Sequence, residues 1–179
     1  MLQREQTIFL VVDIQERLLP AIKGAGEIER NAVKLLKIAR LLELPILITE
    51  QYSRGLGPTC ASLLTALGEY KPQLLEKMSF SAYKNNEIKK ILESYPFIVL
   101  CGIECHVCVC QTALDLRATG KEVHVITECT GSRKEENYRL GLERMRQAGI
   151  VLSSVEMAAF ELMQTASYKN FKAVLEIVK

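Results

Sequence analysis

The residues best suited to chemistry are a cysteine, a carboxylate and a lysine, each of which follows an apolar segment. Cys108 lies in VLCGIECHVCVCQT (99–112), where an apolar strand ends at Cys101-Gly102 and a helix is predicted to open on Cys108. A thiol in the first turn of a helix faces unpaired N–H groups and the positive end of the helix dipole, which favour the thiolate. Cys108 is therefore a candidate nucleophile, with a pKa expected near neutrality.

The six cysteines also have simpler interpretations, because cysteine is among the most buried residue types. Cys101 lies on the apolar strand and Cys110 inside the helix, so both are predicted to be core residues. Cys105 and Cys108 have CxxC spacing, which leaves a thioredoxin-like redox pair open. Such a pair usually opens a helix with its first cysteine early in a fold, whereas this pair follows a late strand. The remaining cysteines are Cys60 and Cys129.

Composition favours one compact domain over residues 1–179. The chain has 179 residues, of which 49% are hydrophobic, and carries a formal net charge of only +2. Its basic residues are interspersed with acidic ones and form no stripe, so no nucleic-acid partner is expected. The apolar run near the N-terminus is too short to span a bilayer and lacks a cleavage-site pattern. We expect a cytoplasmic protein with reduced thiols and no membrane partner.

Apolar strands and helices alternate along the chain. A helical repeat of apolar residues follows the first strand, from Ile28 to Leu42, and Gly120 and Gly149 stand where helix C-caps are expected. Strands that are apolar on both faces are typical of a parallel sheet covered on both sides, which predicts an α/β fold. The predicted strands are Thr7–Val12, Pro45–Thr49, Gln73–Glu76, Phe97–Cys101, Glu122–Thr127 and Ile150–Ser153.

Ligands of such folds bind at the carboxyl ends of the strands. Asp13 follows the first strand, Lys77 the third, and Cys108 the fourth. Singly, they can be a capping carboxylate, a solvated loop lysine and a core cysteine. Together, an acid, a cation and a thiol at one edge of a sheet form a candidate nucleophilic site.

The chain resembles the isochorismatase-like cysteine hydrolase superfamily, and within it the YcaC-related hydrolases. The resemblance implies a three-layer α/β/α sandwich with a six-stranded parallel sheet, and it places the nucleophile at Cys108 rather than Cys105. The segments that carry it are LVVDIQERLLPAI (10–22), PILITEQYSRGLGPT (45–59), LEKMSFSAY (75–83), VLCGIECHVCVCQTALDL (99–116) and VHVITECTGSR (123–133).

The resemblance further implies a catalytic triad of Asp13, Lys77 and Cys108. Lys77 would lower the pKa of the thiol and of the carboxylate, and Asp13 would carry the proton from the thiol to the departing amine. Backbone N–H groups of Glu104 and Cys108 would hold the oxyanion, and the peptide bond Ile103-Glu104 is expected to be cis. No cofactor is required.

The region TEQYSRGLGPT (49–59) has no histidine where nicotinamidases of this superfamily hold a metal, so no metal is expected and nicotinamide is a poor candidate substrate. The only histidines, His106 and His124, make a weak metal site. Glu50 and Arg54 are predicted to be solvated, with an ion pair or a charged substrate as the alternative. The predicted substrate pocket, in which Phe80 could equally be a packing residue, consists of Gln15, Gln51, Tyr52, Phe80 and His106.

Three classes of function follow. The first is a metal-independent cysteine hydrolase that cleaves a C–N bond of a small amide or carbamoyl substrate. The second is an isochorismatase-type vinyl ether hydrolase, which needs an acid but no thiol. The third is a non-enzymatic or nucleic-acid-binding member of the fold. The resemblance also implies a homo-oligomer, and the apolar helix predicted from Phe171 to Val178 could pack on its own sheet or on a neighbouring copy.

Overall fold

The computed structural model describes all 179 residues around one six-stranded sheet. Every neighbouring pair of strands is parallel, and their order is β3-β2-β1-β4-β5-β6. The predicted α/β fold with a six-stranded parallel sheet is confirmed. The strands are β1 (Thr7–Val12), β2 (Ile46–Gln51), β3 (Gln73–Lys77), β4 (Phe97–Ile103), β5 (Glu122–Gly131) and β6 (Val151–Ser153).

Helices cover both faces of this sheet. Apolar residues of α1, α3, α7 and α8 form the core on one face, and those of α4, α5 and α6 form a second core on the other. The helices are α1 (Ala25–Leu41), α2 (Ser53–Leu56), α3 (Ala61–Leu67), α4 (Asn86–Glu93), α5 (Cys110–Ala118), α6 (Glu135–Gln147), α7 (Val155–Met163) and α8 (Phe171–Val178). No helix combines the length and the apolar character needed to cross a membrane.

Strand β1 shows why the sheet must be covered twice. All six of its residues are buried. Phe9 and Val11 belong to the core beneath α1, whereas Ile8, Leu10 and Val12 belong to the opposite core. Because successive side chains of a strand point to opposite faces, a continuous apolar run needs an apolar layer on each side.

Helix α8 packs on its own chain. Val174 is fully buried, and it belongs to the core that α1 and α7 share. Of the two alternatives for this helix, the structure therefore shows the intramolecular one. The helix C-caps predicted at Gly120 and Gly149 are also present, with φ of 85° and 78°.

The end of β4 lies unusually close to β1. Gly102 has φ of 135°, and a Cβ atom placed there would lie 2.0 Å from the carbonyl oxygen of Val12. The pairing of β4 with β5 also shifts register between Leu100 and Gly102. Only glycine allows this approach, which brings the segment after β4 beside the residue that follows β1.

The helical segment after β4 starts earlier than predicted. A single π turn, Cys105–Val109, precedes α5, so the prediction that the helix opens on Cys108 was wrong by one turn. The N–H groups of Val107 and Val109 both donate to the Glu104 carbonyl, at 3.1 and 3.3 Å. Apolar periodicity cannot reveal a π turn, because the turn depends on which carbonyl the amides reach.

Candidate active site

Three buried side chains meet at the carboxyl edge of the sheet. Asp13 follows β1, Lys77 ends β3, and Cys108 lies in the π turn after β4. Asp13 and Lys77 are wholly buried, and Cys108 retains 6% of its exposure. The Lys77 ammonium reaches across β2, the strand between β3 and β1, and lies 2.7 Å from the Asp13 carboxylate. The topology thus joins residues that are 64 positions apart in the sequence.

The Lys77 ammonium is surrounded by oxygen atoms. Besides Asp13, it donates to Gln51 Oε1 at 2.8 Å and to the carbonyl oxygens of Ser79 and Phe80, each at 3.2 Å. Its buried charge is therefore both paired and hydrogen-bonded, as a buried cation requires. The same contacts tie the chain after β3 to the site.

Asp13 is held from two sides. One carboxylate oxygen accepts from Lys77, and the other accepts from the Thr49 hydroxyl at 2.7 Å. Its backbone has φ of 56°, a left-handed conformation that turns the chain sharply at the end of β1. Burial raises the pKa of this carboxyl, and the Lys77 ammonium, the Thr49 hydroxyl and the neighbouring Cys108 thiol oppose that rise. Sequence reasoning did not identify Thr49, which reads as an ordinary strand residue.

The Cys108 thiol lies close enough to Asp13 and Lys77 to interact with the charges of both. Burial, and then the charge of Asp13, raise the pKa of this thiol to about 12, and Lys77 opposes the rise. The prediction of a pKa near neutrality was therefore wrong. A helix-terminal position favours a thiolate, but burial beside a carboxylate disfavours it more strongly. The resting thiol is protonated and needs a base before it can attack.

Cys105 faces away from this group. Its thiol contacts the carbonyl oxygen of Tyr138 on α6 at 3.7 Å, and burial raises its pKa to about 12. A Cβ atom on Gly141 of α6 would lie 3.1 Å from its sulfur, so α6 packs tightly against it. All six cysteines are buried free thiols. Cys105 is thus placed as a packing residue, in keeping with the core interpretation rather than with a redox pair.

The backbone N–H of Glu104, immediately before the π turn, is free to donate a hydrogen bond. The Ile103-Glu104 peptide bond is cis, and the hydrogen bonds of turns, loops and caps do not use the Glu104 N–H as a donor. The Glu104 carboxylate accepts from the Arg133 backbone N–H at 3.0 Å and from its guanidinium at 3.1 Å. Arg133, which sequence reasoning did not single out, therefore anchors the residue that presents this N–H.

Gln15 and Gln51 support the site rather than line an open pocket. Gln15 is fully buried, and its amide accepts from the Gln51 N–H at 2.8 Å and donates to the Gly57 carbonyl at 2.6 Å. Gln51 accepts from Lys77 and donates to the Met78 carbonyl at 2.9 Å. The expectation that Gln15 contacts substrate is corrected, since all of its polar atoms are used to hold the ends of neighbouring segments.

Tyr52 and Phe80 are exposed beside the site, at 49% and 56%. Phe80 is therefore not a core residue, and the packing alternative for it was wrong. A cleft of about 640 Å³, called here the Lys77 cleft, lies beside the end of β3, and its lining includes Lys77 but neither Asp13 nor Cys108. It is lined by Tyr52, Arg54, Glu76, Lys77, Met78, Ser79, Lys84 and Asn85.

His106 is tied to the loop after β5. Its Nδ1 lies 3.0 Å from the Ser132 hydroxyl, and its Nε2 lies 3.3 Å from the Asn137 amide nitrogen. Both ring nitrogens therefore contact the segment after β5, and His106 does not line the Lys77 cleft. The prediction that His106 belongs to the substrate pocket is corrected. Glu50 was predicted to be solvated, but it is buried. Its carboxylate accepts hydrogen bonds from the Thr59 N–H and hydroxyl at 2.6 and 2.8 Å, which satisfy the buried oxygen.

The arrangement can support nucleophilic chemistry with its own side chains. Asp13 can take the thiol proton, Lys77 balances the charge of Asp13, and the Glu104 N–H is available to an oxygen atom. Nowhere in the structure do three or more His, Cys, Asp or Glu side chains gather in a way that could hold a metal ion.

A comparison with known protein families matches the isochorismatase domain to residues 7–157, which include every residue of the site. The chain belongs to the isochorismatase family. Similar proteins include mouse (Mus musculus) isochorismatase domain-containing protein 2A, which is 37% identical over 98% of this chain and 84% of the relative. Zebrafish (Danio rerio) isochorismatase domain-containing protein 1 is 35% identical over 97% of this chain and 61% of its own length.

Solved structures of isochorismatase-like proteins share the fold closely. The MAR1 ribonuclease of Caenorhabditis elegans superposes with a TM-score of 0.94 at 32% identity, covering 99% of this chain and 91% of its own. YcaC of Escherichia coli, described as an octameric hydrolase of unknown specificity, superposes with a TM-score of 0.88 at 25% identity. That match covers 97% of this chain and 86% of YcaC. The resemblance to isochorismatase-like and YcaC-related proteins is therefore confirmed.

Proposed function

We propose that this isochorismatase family member is a cysteine hydrolase that cleaves the C–N bond of a small amide or carbamoyl substrate. One observation carries the proposal: the buried Cys108 thiol lies beside Asp13, whose carboxylate forms a buried ion pair with Lys77 at 2.7 Å. A thiol beside a base whose charge is itself balanced is the arrangement that nucleophilic catalysis requires.

In the first half of the reaction, Asp13 takes the proton of the Cys108 thiol as the sulfur forms a bond to the substrate carbonyl carbon. Because burial and the charge of Asp13 raise the pKa of the thiol, Asp13 must take its proton for the sulfur to attack. The carbonyl oxygen becomes an oxyanion, which accepts hydrogen bonds from the backbone N–H groups of Glu104 and Cys108.

The C–N bond then breaks, and Asp13 gives its proton to the nitrogen, so the amine leaves neutral. The product of this step is a thioester on Cys108. In the second half, Asp13 takes a proton from water as the water oxygen attacks the thioester carbon. The C–S bond breaks, the acid is released, and the proton returns to the sulfur.

Lys77 keeps Asp13 ready for these steps. Burial alone raises the pKa of the Asp13 carboxyl, and a carboxyl that stayed protonated could not accept the thiol proton. The ammonium opposes this rise. Lys77 also donates to the carbonyl groups of Ser79 and Phe80, which fixes the position of the segment after β3.

The proposal is tested with a panel of small carboxamides and carbamoyl compounds, measuring released ammonia and, by intact mass, an acyl group on the protein. We expect an acyl adduct at Cys108 and no turnover in a Cys108→Ala variant. Cys60→Ala is the matched control, because Cys60 has the same 6% exposure and lies outside the site. The control should turn over amides at the native rate.

Two results would count against the proposal, the first against covalent catalysis and the second against the substrate class. If Cys108→Ala kept full activity on the best substrate, the thiol would be superfluous and covalent catalysis would be excluded. If no compound in the panel released ammonia, the amide and carbamoyl assignment would fail.

A second candidate is RNA hydrolysis, which is favoured by the likeness to the C. elegans protein described as MAR1 ribonuclease. Short single-stranded RNA added to the panel separates the two functions, since cleavage changes its length and releases no ammonia. RNA cleavage that survives in Asp13→Asn would place that activity outside this site.

We also propose a cytoplasmic homo-oligomer. The likeness to E. coli YcaC, which is described as octameric, supports self-association, and six free thiols are in keeping with a reducing compartment. Light scattering of the purified protein tests the first point. A mass equal to one chain at micromolar concentration would refute it.

A further inference from the structure

A cleft between α1 and α3 contains none of the residues of the candidate active site. It has a volume of about 450 Å³ and is called here the α1–α3 cleft. The residues from α1 follow i, i+4, i+7 spacing and those from α3 follow i, i+3, i+4 spacing, so each set lies on one face of its helix. The lining consists of Val33, Lys37, Arg40, Ser62, Thr65 and Ala66.

This lining carries two cations and no carboxylate. Lys37 and Arg40 are both exposed. Neither forms a side-chain hydrogen bond, and neither takes part in an ion pair. Their N–H donors are therefore free for a ligand that enters the cleft.

The carboxylates of the surrounding segments do not pair with these cations. Glu29 on α1 accepts a hydrogen bond from the Ser62 hydroxyl. Glu43, which follows α1, forms an ion pair with Lys169 at 2.8 Å. Glu69, which follows α3, is exposed and does not line the cleft. The positive charge of the α1–α3 cleft is thus left without a partner within the chain.

A glycine gives Arg40 its position beside the cleft. Gly68, which follows α3, has φ of 58°, and a Cβ atom placed there would lie 2.9 Å from a terminal guanidinium nitrogen of Arg40. The guanidinium therefore lies against the backbone at the end of α3, where the helix dipole favours a cation. This contact places the guanidinium but uses none of its donors, whose planar fork fits a phosphate group.

The hydroxyl groups of the lining add a second kind of contact. Ser62 donates to Glu29, and Thr65 donates to the Ala61 carbonyl oxygen at 2.8 Å. Because a hydroxyl oxygen also has lone pairs, both can accept hydrogen bonds from a ligand. No aromatic side chain lines the cleft, so it offers no stacking surface to a nucleobase. The lining favours a small molecule with one anionic group and several hydroxyl groups.

We propose that the α1–α3 cleft is a binding site for phosphate esters of small polyols, such as sugar phosphates. Lys37 and Arg40 bind the phosphate group, whose charge is about −1.5 to −2 at pH 7. Ser62 and Thr65 accept hydrogen bonds from the polyol hydroxyl groups. The site is independent of the proposed amide hydrolysis, because no residue of the triad lines the cleft.

The first test is a phosphorus NMR titration of ribose 5-phosphate with the native protein. We expect a Kd of about 0.1–3 mM, which rises with added salt. The K37Q/R40Q variant should raise this Kd by at least about tenfold, because both charge-assisted contacts are lost. The matched control is R54Q/K84Q, which removes an exposed arginine and an exposed lysine from the Lys77 cleft and should change the Kd by less than about twofold.

A second test separates the polyol contacts from the phosphate contacts. Inorganic phosphate should bind about threefold to tenfold more weakly than ribose 5-phosphate, because it lacks the polyol hydroxyl groups. Thr65→Val keeps the shape and the charges of the cleft but removes one acceptor. It should raise the Kd of ribose 5-phosphate about threefold and leave the Kd of inorganic phosphate unchanged.

Four results would overturn the inference. The first is an unchanged phosphorus signal at protein and ligand concentrations that detect a Kd of about 10 mM. The second is a Kd in K37Q/R40Q equal to the native value. The third is equal weakening by K37Q/R40Q and R54Q/K84Q, which would show attraction to the overall charge rather than a site. The fourth is inorganic phosphate that binds as tightly as ribose 5-phosphate, which would refute the polyol ester as the ligand.

Discussion

Replacing Lys77 by Met isolates the buried charge at the centre of the site. Methionine keeps a flexible apolar stem of similar length but removes the ammonium, which contacts Asp13, Gln51 and two carbonyl groups. The Asp13 carboxylate then remains wholly buried, with the Thr49 hydroxyl as its remaining side-chain hydrogen-bond donor. It must either stay charged without a cation or take up a proton.

The size of the effect follows from the cost of leaving a buried charge unpaired. Removing one partner of a buried ion pair typically costs about 3–5 kcal/mol. For a protein of this length each kcal/mol corresponds to about 2–4 °C in Tm, so K77M should melt about 6–20 °C below the native protein. The variant should also lose turnover, because a protonated Asp13 cannot accept the thiol proton.

The loss of stability should depend on pH with a defined sign. Without Lys77, the pKa of Asp13 in the folded protein rises further above the unfolded value of about 3.9. A carboxyl with a raised folded pKa gains a proton on folding, so its stabilising effect is present below the unfolded pKa and is lost as pH rises through the folded one. The gap between native and K77M should therefore widen as pH rises above the unfolded pKa of about 3.9, until it passes the folded pKa.

Urea unfolding at several pH values in this range measures the free energy of unfolding of both proteins. D13N/K77M is the control, because it removes both charges and should recover part of the stability that K77M loses at high pH. A K77M protein as stable as the native one at about pH 8, or a deficit that does not change with pH, would show that the buried ion pair does not determine the state of Asp13.

Three further changes test how the fold positions the site. Gly102→Ala should destabilise the protein by more than about 4 kcal/mol, because its Cβ would lie 2.0 Å from a carbonyl oxygen of β1. Gly26→Ala in α1 should instead stabilise it by about 0.5–1 kcal/mol. Thermal melts that rank the two variants in the opposite order would contradict this geometry. Asn85→Ala should cost about 1 kcal/mol in urea unfolding, since its side chain caps α4, and a change below about 0.3 kcal/mol would mean that the cap is dispensable. Gln51→Leu should cost about 1.5–3 kcal/mol and slow the alkylation of Cys108, because Lys77 loses an acceptor; alkylation at the native rate would exclude this supporting role.

Much of the architecture could be predicted from the sequence, because apolar runs and glycine punctuation are local signals. Strand β1 was predicted with its observed bounds, and α8 likewise. Strands β2, β4 and β5 were predicted to end earlier than they do. Gln51, Ile103 and Gly131 continue the backbone ladder beyond the apolar runs, and their pairing depends on a neighbouring strand rather than on their own hydrophobicity.

Some features of the candidate site were also predictable from the sequence, whereas others depended on the tertiary structure. Residue type and position at strand ends were enough to nominate Asp13, Lys77 and Cys108, because parallel strands present their carboxyl ends at one edge. The sequence alone could not show that burial raises the pKa of Cys108, since desolvation depends on what packs around the thiol. Nor could it show that Gln15 is enclosed, because its hydrogen-bond partners lie 36 or more positions away and are assigned only when the chain folds.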